Sequence, residues 1–226
     1  MSWIAETLTS SVGRKLIMAL TGFFLILFII VHLSGNLQLL LNDGGEQFNK
    51  YAHFMGHNPL IQTISILNFT FILLHVITSI ILTRRNSEAR PVKYYVSRMQ
   101  NSSTWASRNM GLLGSIIFIF LVVHLANFWF KMKFGAVPMV EYDGAQYKNL
   151  FLVVKEAFQQ EWIVALYVLS MVALGYHLSH GFMSAFRTFG LHHRKYNGFI
   201  KGLGIAFSIA VAIGYAIIPV IIYFRY

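Results

Sequence analysis

Five stretches of this chain run for more than twenty residues with no charged side chain away from their ends: about 15–41, 59–83, 107–130, 162–186 and 202–224. A hydrocarbon layer of ~30 Å is crossed by ~20 helical residues. Lipid offers no hydrogen-bond partners to an open backbone, so each run must be a helix. The sequence therefore predicts an all-α integral membrane protein, a five transmembrane helix bundle forming a single domain over 1–226. Composition agrees: 12% of residues are charged, against about a quarter in soluble domains. The first run is too long for a signal-peptide core and lacks a small-residue cleavage pattern, so it reads as a retained span.

Charge sets the expected orientation. The segments 1–15, 84–108 and 187–201 hold 12 of the 18 basic residues, with Glu6 and Glu88 as their only acids. The other side carries six of each sign. By the positive-inside rule the N-terminus is cytoplasmic and the chain is a multi-pass protein of the cytoplasmic (inner) membrane. The basic runs then face anionic membrane lipid or an acidic partner, and no nucleic-acid motif accompanies the net charge of +10. There is no cysteine. That excludes disulfides, iron–sulfur clusters, thiolate-held metals and covalent c-type haem.

Spans one to four each carry one histidine at matching depth: His32, His75, His124 and His177, between 15 and 17 residues from the start of the run. Successive spans alternate in direction, so His32 and His124 fall towards the outer side and His75 and His177 towards the cytoplasm. At 1.5 Å per residue the two levels lie ~12 Å apart. An imidazole in hydrocarbon is costly unless partnered, and marks a functional site. One of them alone could bond a neighbouring helix. Four, sorted in pairs, suit the two axial positions of two haem irons. Gly22, Gly35, Gly111, Gly114, Gly175 and Gly181 offer room for a macrocycle, or simply for close helix contact.

Zinc would draw its ligands to one level. A proton-coupled transporter usually carries buried carboxylates, and none lies within a span. His180, one turn after His177, is an alternative ligand or a haem contact. His53 and His57 are four apart in the first outer loop and read as a wetted pair or a metal site. His192 and His193 adjoin Arg194 and Lys195 and read as a head-group or partner contact. Between spans three and four, Leu150, Val153, Val154, Ala157 and Phe158 share a face at helical spacing. They suggest either a short helix along the outer interface or a simple loop.

The chain resembles the di-haem cytochrome b membrane anchor of succinate:quinone oxidoreductases and fumarate reductases, in its single-subunit, five-helix form. The resemblance rests on His32 with the run Glu46-Gln47-Phe48-Asn49-Lys50-Tyr51-Ala52-His53-Phe54-Met55, on the single histidines of spans two and three, and on His177-Leu178-Ser179-His180-Gly181 continuing to Arg187-Thr188-Phe189-Gly190. It implies two b haems, His75 with His177 on the cytoplasmic side and His32 with His124 on the outer side. It also implies a flavoprotein subunit that oxidises succinate, an iron–sulfur subunit, and delivery of electrons to a quinone, menaquinone or ubiquinone. Enzyme activity would belong to the assembled complex. The alternatives are the cytochrome b of a hydrogenase or formate dehydrogenase and a non-haem transporter. Arg90, Lys93, Arg98, Arg194 and Lys195 are the expected docking residues. A quinone beyond the outer haem would meet the loop 42–58, where Glu46 and His53 are the proton carriers, Asn49 and Tyr51 further polar partners, and Phe48, Phe54 and Met55 the apolar lining. Arg14, Arg84 and Arg108 mark an alternative quinone site on the inner side.

Overall fold

The computed structural model describes residues 2–89 and 103–226. Five of its helices are long and apolar enough to cross a membrane: Ser11–Leu40, Pro59–Glu88, Met110–Phe134, Glu161–Thr188 and Asn197–Arg225. The chain is a multi-pass helical membrane protein, and these helices are spans one to five below. They overrun the apolar windows because the lipid layer limits apolar side chains, not helical hydrogen bonding. Span two continues past Thr83 through Arg84 and Arg85 to Glu88. Capping residues fix the starts. Asn58 accepts from the amides of Leu60 and Ile61, with Pro59 preset for the first turn. Ser10 does the same for Gly13, closing the turn from the short helix Trp3–Thr9 into span one.

Spans one to four form a ring. Span one packs on two and four, span four on three, while two and three meet only lightly. Span five lies behind the ring, along four and one. Small residues bring it close: a Cβ at Gly175 would sit 3.2 Å from Ala212, and one at Gly204 would run into the Phe182 ring at 2.7 Å. The hydroxyls of Ser170 and Ser208, both buried, donate to backbone carbonyls one turn back. Span three is interrupted immediately after His124 by a π-helical turn, Leu125–Phe130.

Contacts sort the two ends of the bundle. At one, Arg225 donates to the Leu40 carbonyl at 2.8 Å and Tyr223 to Glu161 at 3.0 Å, so span five ends beside the end of span one and the start of span four. This end is capped by three elements. The first is a helix, Glu46–His57. The second is the β-hairpin of β1 (Met139–Tyr142) and β2 (Ala145–Lys148). The third is a helix, Leu150–Phe158. Asp143 and Gly144 both take positive φ, 51° and 75°, between the paired Tyr142 and Ala145. That is the left-handed two-residue turn an Asp-Gly dipeptide favours.

The segment read as a short helix or a loop is a helix, Leu150–Phe158, and its apolar face packs on the bundle. Phe151, Val154, Ala157 and Phe158 are buried against Leu39, Ile163, Tyr167, Ile218 and Ile222, and Leu150 and Val153 flank this stripe half-buried. Asn49 is the tie between the two capping loops. It is 1% exposed, donates to Tyr142 Oη (3.1 Å) and Asn149 Oδ1 (3.3 Å), and accepts from the Phe151 amide at 2.9 Å. The opposite end gathers Arg14, Lys15, Arg84, Arg85, Arg108, Arg187, Arg194, Lys195 and Lys201. Arg90, Lys93 and Arg98 lie outside the described residues.

Candidate functional site

The ring of spans one to four brings the four intramembrane histidines together in pairs. Towards the capped end, His32 and His124 have ring centroids 5.8 Å apart with planes at 90°. Towards the basic end, His75 and His177 stand 6.3 Å apart at 61°. The ring facing His75 is that of His177; His180 is half-buried one turn farther along.

Each level can be placed along three different spans. Thr21 touches His75, and His32 lies eleven residues farther along span one. Gly114 borders His177, and His124 lies ten residues farther along span three. Tyr167 meets His124, and His177 lies ten residues farther along span four. At 1.5 Å per residue these offsets give about 15–16.5 Å between levels on these three helices. The ~12 Å expected from sequence is short because it assumed equal starting depths for all spans.

Each pair has polar neighbours that the sequence reading left out. Thr21 donates its hydroxyl proton to the Ile17 carbonyl at 2.8 Å, and its oxygen lies 3.1 Å from His75 Nδ1. A threonine hydroxyl that donates to that carbonyl accepts from an Nδ1–H, the tautomer that leaves the Nε2 lone pair free. Tyr167 Oη lies 3.3 Å from His124 Nδ1. Asn36 donates to the His32 carbonyl at 2.7 Å and stands 3.4 Å from both nitrogens of that ring. Phe28 stacks on His32 at 5.2 Å, and Phe120, Phe128 and Tyr167 surround His124. Nδ1 of His177 is buried and has no hydrogen-bond partner among the described residues. Such an atom implies a partner that the side chains do not supply.

The glycines divide by what they face. A Cβ on Gly22 would meet His75 Cε1 at 3.4 Å, and one on Gly114 would lie 4.0 Å from His177 Cε1. Gly111 and Gly181 face open space. Gly35, by contrast, is filled by the Tyr51 ring, and Gly175 by span five. These last two make room for protein. Among the described residues no group of three or more His, Asp or Glu is disposed to hold a metal ion. What the spans offer is imidazole in twos.

At the capped end, a surface pocket of about 440 Å³ is lined by Lys50, His53, Phe54, His57, Asn58 and Tyr147. Of the residues expected around a quinone there, His53 and Phe54 line it. Glu46 does not: its carboxylate holds Lys50 at 2.5 Å, and Asp143 holds the same ammonium at 2.6 Å. Both contacts raise the Lys50 pKa above its ordinary value, and the ammonium keeps Asp143 below the usual carboxylate range. Asn49 spends its amide on the cap, and Tyr51 packs on Gly35 with burial pushing its phenol up.

Fold and site define a class: a multi-pass helical membrane protein with two stacked pairs of histidines inside a four-helix ring. No family model, curated protein or solved structure matches the chain.

Proposed function

We propose that the chain is a di-haem cytochrome b, the membrane anchor and electron-transfer subunit of a succinate:quinone oxidoreductase. The observation that carries this reading is the convergence of four imidazoles, one from each span of the ring, into two facing pairs. Each pair places two imidazole rings close enough that both could hold one metal ion between them. The pairs here measure 5.8 and 6.3 Å. When bound, haem b supplies a one-electron relay at each level.

The chain's own residues do the rest. Thr21 fixes the tautomer that leaves His75 Nε2 free to ligate, as outer partners of metal-bound histidines usually do. Tyr167 and Asn36 orient His124 and His32. Gly22 and Gly114 keep side-chain bulk away from His75 and His177. His180, outside the facing pair, is a neighbour of the inner group. In this reading the basic end faces the cytoplasm. Arg194, Lys195 and their neighbours receive the iron–sulfur subunit, which is fed in turn by the flavoprotein. The quinone, menaquinone or ubiquinone, exchanges electrons and protons at the capped end, beside the pocket that His53 lines. Glu46 holds Lys50 at the rim.

A reduced-minus-oxidised spectrum with a pyridine haemochrome assay on the purified chain tests the proposal. Two b-type, low-spin haems per chain are expected. A chain without haem after expression in a haem-sufficient host would sink it.

A further inference from the structure

The helix Glu46–His57 carries a second kind of histidine pair, outside the membrane ring. His53 and His57 lie one turn apart on its exposed side, with ring centroids 4.0 Å apart and planes inclined by 23°. His57 Nδ1 is 2.7 Å from the His53 carbonyl oxygen. A carbonyl can only accept, so this nitrogen bears the proton and the lone pair sits on Nε2. The Tyr147 ring stands edge-on to His53 at 5.2 Å and limits where that ring can swing. Both imidazoles line the 440 Å³ pocket. The nearest cation, Lys50, is bracketed by Glu46 and Asp143, so that cluster sums to one negative charge and does not repel a metal ion.

We propose that His53 and His57 form a two-histidine chelate for a borderline divalent transition metal, Zn²⁺ foremost, at the mouth of this pocket. Water completes the coordination. Tetrahedral zinc with Zn–N bonds of ~2.0–2.1 Å needs its two nitrogens about 3.3 Å apart. Rings already stacked at 4.0 Å reach that with small rotations. The Nδ1-to-carbonyl bond is the outer contact that usually orients a ligating imidazole. Hard cations are disfavoured, because the pocket offers no cluster of carboxylates. The order Cu²⁺ above Zn²⁺ above Mn²⁺ follows from the nitrogen donor set. A bound ion occupies the His53 lone pair and narrows the pocket mouth, so it acts as a plug for whatever small molecule enters there. The site rests on its own geometry and stands whether or not the pocket takes a quinone.

Zn²⁺ titration of the untagged, detergent-solubilised chain, by calorimetry or chelator competition, tests it. One saturable site per chain is expected. Its affinity should drop at least about tenfold in His53→Ala and in His57→Ala, with melting temperatures unchanged because both side chains are exposed. The double variant His192→Ala/His193→Ala at the basic end should bind Zn²⁺ like the parent. Equal affinity in the parent and both single variants, or loss of binding only in the double variant, overturns the site. Displacement of Zn²⁺ by equimolar Mg²⁺ would overturn the borderline-metal assignment.

Discussion

Spans four and five and spans two and three are built on opposite plans. In the most apolar stretch of span four 33% of residues are buried, against 6% in span three. Span five meets span four through Gly175, Gly204 and Ser208, with the small-residue contacts that let membrane helices approach closely. Their mutual contact is made by protein atoms alone. Span two buries only Asn68 and Thr78, and span three only Leu113. Yet these two thin-walled helices carry His75 and His124, and the open-faced Gly111 lies on span three. Lipid association has no hydrophobic drive between helices, so a sparse contact between two and three contributes little cohesion. The contrast teaches that one half of the bundle is a scaffold, while the other half leaves most of its surface uncovered by protein. In the proposed reading the groups held by the paired histidines lie against that sparsely packed half.

The largest expected effect falls on the sparsely packed half. His75→Ala or His177→Ala should each lower haem to about one per chain by removing two-thirds or more of one haem's absorbance, and His32→Ala or His124→Ala should do so for the other. Retention of two haems in His177→Ala with loss of one in His180→Ala would move the fourth ligand by one turn. Gly114→Leu, which fills the space beside His177, should cut the haem at the basic-end level while leaving helix content unchanged by circular dichroism.

The scaffold half should respond to bulk in the opposite sense. Gly204→Leu drives a side chain into Phe182 and should cost about 1–3 kcal/mol by overpacking. Gly202→Ala, which meets open space, should stay within about 0.5 kcal/mol. Thermal melts of the detergent-solubilised variants separate the two, and equal melting temperatures would remove the distinction between the halves. At the cap, Asn49→Ala strands the Phe151 amide and breaks three hydrogen bonds, for about 2–4 kcal/mol. Limited proteolysis should then cut the hairpin first.

The smallest effect is electrostatic. The depressed Asp143 pKa means that its pairing with Lys50 contributes above the ordinary carboxylate range, and the contribution is lost as pH falls through the lowered value. The raised Lys50 pKa makes the same contact persist up to the ordinary lysine range, and the contribution is lost as pH rises through the elevated value. Exposed pairs of this kind are weak. Hairpin amides should exchange faster in Asp143→Asn than in the parent at neutral pH, and the two proteins should converge only once pH falls below the ordinary aspartate range.

Which parts of this were legible in the sequence follows from what each signal depends on. The five spans were, because runs of apolar residues report the lipid layer directly. Span ends were not, since Arg84 to Glu88 continue the helix in a polar setting. The helix Glu46–His57 reads as loop by polarity, although Phe48, Tyr51, Ala52 and Met55 recur at helical spacing and could have marked it. The hairpin likewise announces itself through Asp143-Gly144. For the site, one histidine per span is a linear pattern. Thr21 and Tyr167 are not, because their meaning comes from residues on other helices. Asn36 was within reach, four residues after His32 in an apolar span. Gly35 shows the limit of reading glycines alone: only the structure shows that Tyr51 fills it.

Asn49 also dictates an order of events. Its partners Tyr142, Asn149 and Phe151 lie 93 to 102 residues later in the chain. At synthesis rates of ~5–20 residues per second, the amide waits about 5–20 s for them. Within that interval spans two and three follow span one, and the amide has no partner until the hairpin and the start of the Leu150–Phe158 helix emerge. That helix in turn finds its own support only when spans four and five bring Ile163, Tyr167, Ile218 and Ile222 beneath it, so the cap is secured only once nearly the whole chain is made.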